Sequence, residues 1–346
     1  MRKSKIAAAA VYLIAVAVSP AFAADQVKLE WKWKEGETNR YRMKMDSDIR
    51  MEMPNMPGGA AMPGMEGGMK IRQTQEFLMS EKVKEISPEG TATIEQTIES
   101  AKMEMDQGPM AKVSYDSTKP ATAEGEAAKM MQPLAWLVGK SFTFVRDKTG
   151  QIVEIRGMED LLNSLMDEIR KETQGNPMSA MIVSQVEKMF SEENFDSLNQ
   201  CSFEALPTEA VGPGSKWQSS TSQTVPMMGQ LTRDTTYTFE GFEALDAHKC
   251  AKIAFTFKAA SSQEGLANNP FAQFMEIKSM TMEGNGNLFF APKEGCVLKQ
   301  TTDTTLDMEM AMRLPAGAPQ DRPSSDMRPT TMKQHIVMKM ALERVE

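Results

Sequence analysis

The stretch Tyr41-Arg42-Met43-Lys44-Met45-Asp46-Ser47-Asp48-Ile49-Arg50-Met51-Glu52-Met53 decides how this chain is read. Its odd positions are apolar except for Ser47, and its even positions are all charged. A period of two puts the two sets on opposite faces of an extended strand, one dry and one wet. A helix would mix them around its circumference.

The same grammar extends outward. After a Gly/Pro loop from Pro54 to Gly68, a second strand runs from Met69 to about Glu85. Ser87-Pro88-Glu89-Gly90 supplies turn chemistry before a third strand from Thr91 to Met105. The apolar parity changes between Ile98 and Ala101, which predicts a β-bulge there. A turn at Asp106 to Pro109 leads to a fourth strand ending near Tyr115.

The middle of the chain reads differently. Ser141 to Val145 and Gln151 to Arg156 form a hairpin about Asp147-Lys148-Thr149-Gly150. Met158 to Lys171 carries Leu161, Leu162, Leu165, Met166 and Ile169 at helical spacing. A second helix opens at Asn176 as N-cap with Pro177 at its first position and runs to Phe190. Strands resume at Lys216 to Val225, Leu231 to Phe239, Lys249 to Lys258, Glu276 to Phe290, Val297 to Arg313 and Met332 to Arg344. The expectation is an α+β fold, with antiparallel β meanders forming curved sheets or a half-barrel and a central helical segment packed against them. Residues 24–205 would be an N-terminal meander with a helical insert at about 128–199, and 206–346 a C-terminal meander. The two halves can also make one domain.

Methionine is the other signature, with 32 in 346 residues. Met-x-Met pairs recur at Met103/Met105, Met280/Met282, Met308/Met310/Met312 and Met338/Met340. Met at period two is a way for a strand to present an apolar face. Val or Ile suits a strand better and defines a core more sharply, so Met fits a surface that adapts to varied apolar guests. In an up-and-down meander, successive loops alternate between the two ends of the sheet. That alternation gathers Met53, Met56, Met62, Met65, Met69, Met105 and Met110 at one end of the N-terminal half. It gathers Met227, Met228, Met312 and Met332 at one end of the C-terminal half. If the halves are co-oriented, these residues form a single Met-rich mouth.

The N-terminus places the protein outside the cytoplasm. Arg2, Lys3 and Lys5 precede an apolar run from Ile6 to Val18 and an A-x-A site at Ala21-Phe22-Ala23, so residues 1–23 read as a signal peptide. The expected product is exported to the periplasm or beyond, soluble, and begins near Ala24. No later segment is long and apolar enough for a transmembrane helix. Removing three basic residues leaves 36 of the 39 Lys and Arg against 47 acids, a net charge of about −11. Such a balance disfavours nucleic acid and anionic membrane surfaces as partners.

Enzymatic readings find little support. The sequence has no P-loop, G-x-S-x-G, H-E-x-x-H or dinucleotide fingerprint, and only His248 and His335. We expect no catalytic residues, no cofactor and no dedicated metal site. Gly284-Asn285-Gly286 reads as a strand bulge or bend rather than a phosphate cradle. Cys201, Cys250 and Cys296 show no C-x-x-C spacing. In a meander, Cys250 and Cys296 lie two strand spacings apart, about 10 Å, which is too far for a disulfide.

Several short elements carry a family resemblance. They are Leu206-Pro207 followed by Val211-Gly212-Pro213-Gly214-Ser215-Lys216-Trp217, and Tyr237 with the later Cys250-Ala251-Lys252-Ile253. Gly284-Asn285-Gly286 through Phe289, with Gly295 and Leu298, adds a third. Gly139-Lys140-Ser141-Phe142 and Asp147-Lys148-Thr149-Gly150 with Ile152, Ile155 and Gly157 complete the set. With these the chain resembles a secreted bacterial family catalogued as domain of unknown function six-two-six-three. The resemblance implies an exported β-rich protein and carries over no catalytic residue. A looser, fold-level likeness is to periplasmic lipoprotein carriers, whose curved half-barrel covers an apolar hollow.

The functional expectation is non-enzymatic: binding or carriage of an apolar ligand such as a lipid, a lipoprotein tail or a hydrophobic peptide. Two alternatives stand beside it. One is a structural or interaction protein of the cell envelope with a filled core. The other is Cu(I) binding through Met thioethers.

Overall fold

The computed structural model describes residues 26–52, 68–108, 112–119, 134–157, 160–161, 163–164, 167, 206–225, 229–262, 275–312 and 330–345. In chain order the strands are β1 (Thr38–Glu52), β2 (Met69–Ile86), β3 (Ala92–Asp106), β4 (Lys112–Asp116), β5 (Ser141–Arg146) and β6 (Ile152–Arg156). The C-terminal set is β7 (Lys216–Val225), β8 (Gly229–Leu245), β9 (His248–Ser262), β10 (Met275–Ala291), β11 (Cys296–Met312) and β12 (Thr330–Val345).

All twelve strands belong to one antiparallel sheet, in the order β6-β5-β3-β2-β1-β12-β11-β10-β9-β8-β7, with β4 paired to the far half of β3. The two meanders meet where β1 pairs β12, an unbroken register from Arg40↔Val345 to Glu52↔Lys333. Of the described residues, 73% are in strands and 4% in helix, so the α+β expectation is corrected: the fold is all-β. Two features explain the difference. The alternating segments are strands of up to 18 residues that join edge to edge into one sheet. Among the described residues, the packing against that sheet comes from the extended N-terminal segment. The helices expected over Met158 to Phe190 fall almost entirely outside the described residues.

The parity change in β3 is the bulge expected there. Leu78 pairs Ser100 while Met79 pairs Ile98, which leaves Glu99 as the extra residue. Gly284 and Gly286 are places where aromatic rings lie over bare backbone. A Cβ on Gly284 would meet Phe257 Cζ and Asp303 O at 2.5 Å, and one on Gly286 would collide with Phe255 and the Thr301 carbonyl. Cys250 and Cys296 are both free, in keeping with the meander order, and Cys201 lies outside the described residues.

The sheet has one polar and one apolar face. On the polar face, Glu76 lies within reach of Arg42, Lys44 and Lys102 at 3.5–3.8 Å, and Lys299 meets Glu343 at 2.7 Å. These half-exposed pairs contribute little to stability. The apolar face carries the core. Its densest part joins Tyr237, Phe239, Ile253, Phe255, Leu288 and Phe290 to Leu29 and Trp31 of the N-terminal segment.

Residues 26–37 act as a strap over that face. Val27 pairs Val211, the Lys32 amide donates to the Gly295 carbonyl at 3.0 Å, and Gly36 and Glu37 bond Val83. The Trp31 indole packs on Gly150 of the β5–β6 turn, where a Cβ would collide with it. The same ring stands edge-on to Phe290 at 5.7 Å and lies 5.5 Å from the Arg146 guanidinium. Arg146 on β5 and Phe290 on β10 are six strand spacings apart, about 29 Å of flat sheet. That one ring touches both means the sheet curls toward its apolar face at this end.

Candidate functional site

The apolar face of the three central strands, β2, β1 and β12, is where half-buried methionines assemble. Register fixes its rows. Met43 lies opposite Phe77 and Leu342, Met45 opposite Gln75 and Met340, and Ser47 opposite Gln73 and Met338. Ile49 lies opposite Ile71 and Ile336, and Met51 opposite Met69 and Gln334. Directly opposed residues share a face with Cβ atoms about 5 Å apart, so the rows form one continuous surface roughly 34 Å along the strands from Tyr41 to Met51.

This surface differs in burial from the face on either side. Met43, Met45, Ile49, Met51, Phe77, Met79, Met338 and Met340 are all half-buried. To one side, Met280, Met308, Met310 and Leu306 are buried in a cluster with Leu231 and Ala259. To the other side, Val83, Ala92, Ile94 and Phe144 are buried together.

At the curled end the apolar face meets a buried charged group. Arg146 is 1% exposed, and its guanidinium stands 3.9 Å from the Glu81 carboxylate and 4.4 Å from the Phe144 ring centre. Gln96 donates to the same carboxylate at 3.2 Å. Burial pushes the Glu81 carboxyl above the usual range, against the pull of Arg146. Burial also lowers Arg146 to about 10, against the opposing pull of Glu81. Tyr41 beside them is raised by burial first and by Glu81 second. Arg344 completes the end, donating to Cys296 Sγ at 3.2 Å and to Glu37 at 3.4 Å. Nothing in the sequence marks Glu81 or Arg146 as buried. The strap did leave a signal: Leu29, Trp31 and Trp33 alternate with Lys28, Glu30, Lys32 and Lys34.

The methionines expected at a mouth fall as follows. Met69 is half-buried at the start of β2, and Met332, on β12, packs on the buried Met cluster opposite Met310. Met105 is buried with Val113 on β3 and β4. Met312 ends β11, opposite Thr330. Met53, Met56, Met62, Met65, Met110, Met227 and Met228 lie outside the described residues. The β1–β12 register co-orients the halves, because Glu52 at the end of β1 stands opposite Lys333 near the start of β12. The strand ends that adjoin all these positions therefore lie at one end of the sheet, opposite the curled end.

On the polar face a trough of about 550 Å³ crosses β8 to β12, lined by residues that include Lys258, Glu283, Asn285, Asp303 and Lys339. Its charges are of both signs. Among the described residues no cluster of three or more His, Cys, Asp or Glu is placed to hold a metal, and no helix is long and apolar enough to cross a membrane.

Comparison with known proteins adds the following. A family model described as "Family of unknown function (DUF6263)" matches residues 89–290, more than half of the chain. No curated protein matches the sequence. Among solved structures, lipovitellin, from a study of its lipid–protein interactions, is similar at 11% identity and a TM-score of 0.41. That match covers 91% of this chain, which spans only 26% of the lipovitellin chain. An outer membrane channel from Pseudomonas putida F1 is similar at 7% identity, covering 95% of this chain and 100% of that one, with a TM-score of 0.21. The Pseudomonas aeruginosa protein OccK5 (OpdH) is similar at 8% identity, covering 90% and 99%, with a TM-score of 0.21.

Proposed function

The chain belongs to that family of unknown function, and from this premise we propose that it is an exported, non-enzymatic carrier of an apolar ligand with a long acyl chain. The observation that supports the reading is the Met-lined central face. A Met-rich face whose apolar side chains are only half-buried, broken by Ser47, Gln73, Gln75 and Gln334, is costly to leave in water and suits an apolar guest. Unbranched thioether side chains can repack around a flexible guest, whereas β-branched side chains would hold one shape. An acyl chain laid along the strands would be flanked by Met43, Met45, Met338 and Met340. The strap closes the curled end behind it.

The test is binding of an environment-sensitive anionic naphthalene dye to the folded protein, followed by displacement with palmitate. We expect micromolar dye binding that palmitate competes away. Met45→Asp and Met340→Asp should each weaken it at least tenfold by placing a carboxylate on the apolar face. Lys44→Ala, on the opposite face, should leave it unchanged. Absence of dye binding by a protein that still unfolds cooperatively would overturn the reading in favour of a filled core.

A further inference from the structure

Met103 sits on the apolar face of β3, between Gln75 of β2 and Tyr115 of β4 in its own row. Two side-chain amides converge on its sulfur: Gln73 Nε2 and Gln75 Nε2 each donate to Met103 Sδ at 3.4 Å. Thioether sulfur is a weak acceptor, so two primary amides on one sulfur make a poor use of strong donors. A sulfoxide at the same position would offer them an oxygen, which is a far better acceptor. Met103 is also half-buried and so within reach of a small oxidant. The neighbouring Met105, with Gln107 Nε2 at 3.5 Å from its sulfur, is only 9% exposed and is shielded.

We propose that Met103 is a site of preferential, reversible oxidation by hydrogen peroxide or an alkyl hydroperoxide, with Gln73 and Gln75 holding the sulfoxide. In the step, a sulfur lone pair attacks the distal peroxide oxygen, the O–O bond breaks and an S–O bond forms. Sulfur loses two electrons and the peroxide gains them. The leaving oxygen takes up the proton of the transferred hydroxyl and departs as water or an alcohol. Negative charge develops first on the leaving oxygen, and then on the transferred oxygen as it gives up its proton and becomes the polar sulfoxide oxygen within reach of the two N–H groups. These donors therefore favour the transition state and the product over the thioether, for which their bonds are weak. A methionine sulfoxide reductase reverses the change. The proposal does not depend on a bound ligand.

The test is timed exposure of the native protein to dilute hydrogen peroxide, read by peptide mapping. Met103 sulfoxide should accumulate several-fold faster than sulfoxide at Met43, Met45 or Met340, which are also half-buried on this face. In urea the preference should vanish. Gln73→Leu with Gln75→Leu should bring Met103 to the rate of its neighbours. Gln75→Glu, which replaces a donor with an acceptor in the same shape, should do so with less disturbance of packing. A sulfoxide reductase mixture should return the native mass. Met103 oxidising no faster than Met43 and Met45, or a rate indifferent to either glutamine variant, would overturn the proposal.

Discussion

Cys250 shows how one buried atom sets a solution property. Its side chain is out of contact with water near the start of β9, and burial, with the nearby Glu294 carboxylate second, raises its thiol to about 11. The unfolded chain ionises this thiol first, so above pH 9 it binds fewer protons than the native state. Stability then falls as pH rises through the window from 9 to 11. We expect the thermal midpoint, measured under reductant, to drop over that window by roughly 3–6 °C more in the parent than in Cys250→Ala. Equal slopes for the two proteins would refute this assignment. At the same scale, the Glu81–Arg146 pair could not be read from the sequence. An acid between Ser80 and Lys82 and an arginine after Phe144 and Val145 look like any solvated strand residues. Only the fold puts them on the dry face.

At the scale of the element, strand identity was legible because period two depends on neighbours alone. Tyr41 to Met53 and Ile336 to Leu342 announce their faces without reference to anything distant. The bulge at Glu99 was visible for the same reason. The pairing of β1 with β12 was not, because residues 281 to 305 positions apart carry no local mark of their register. An engineered disulfide tests that seam. Ser47 and Met338 are directly opposed, and opposed Cα atoms lie at about 4.5–5.5 Å, within the range a disulfide accepts. Ser47→Cys with Met338→Cys should close on mild oxidation and link an N-terminal to a C-terminal peptide in a non-reducing map. Ser47→Cys with Val337→Cys puts the thiols on opposite faces and should stay open. Closure of the second pair in preference to the first would mean the register is shifted by one residue.

For the whole molecule, the sequence suggested an α+β fold of two meanders with helices between them. The described residues form one all-β sheet curled at one end around a strap, with helix at the few described positions from 160 to 167. The misjudged fold class has a physical source. Apolar spacing in Met158 to Ile169 has the helical period, and a helix on a sheet is the commonest way to cover an apolar face. Trp31 and Trp33 provide covering in extended conformation, from a segment too short to draw notice beside strands of 15 or more residues. Loop alternation foresaw a common end for the Met-flanked strand tips of each half, and the β1–β12 seam brings the two halves into the same sense. The broad Met face of the central strands follows from the seam as well, since Met45 meets Met340 only there. The account stands on that face holding an acyl chain. Native mass spectrometry of protein purified without detergent from an exporting host tests it most directly. The account predicts a population heavier than the polypeptide by the mass of a fatty acid or acyl lipid, released on collisional activation and absent from Met45→Asp. A spectrum showing only the bare polypeptide, or the polypeptide with stoichiometric copper, would contradict it.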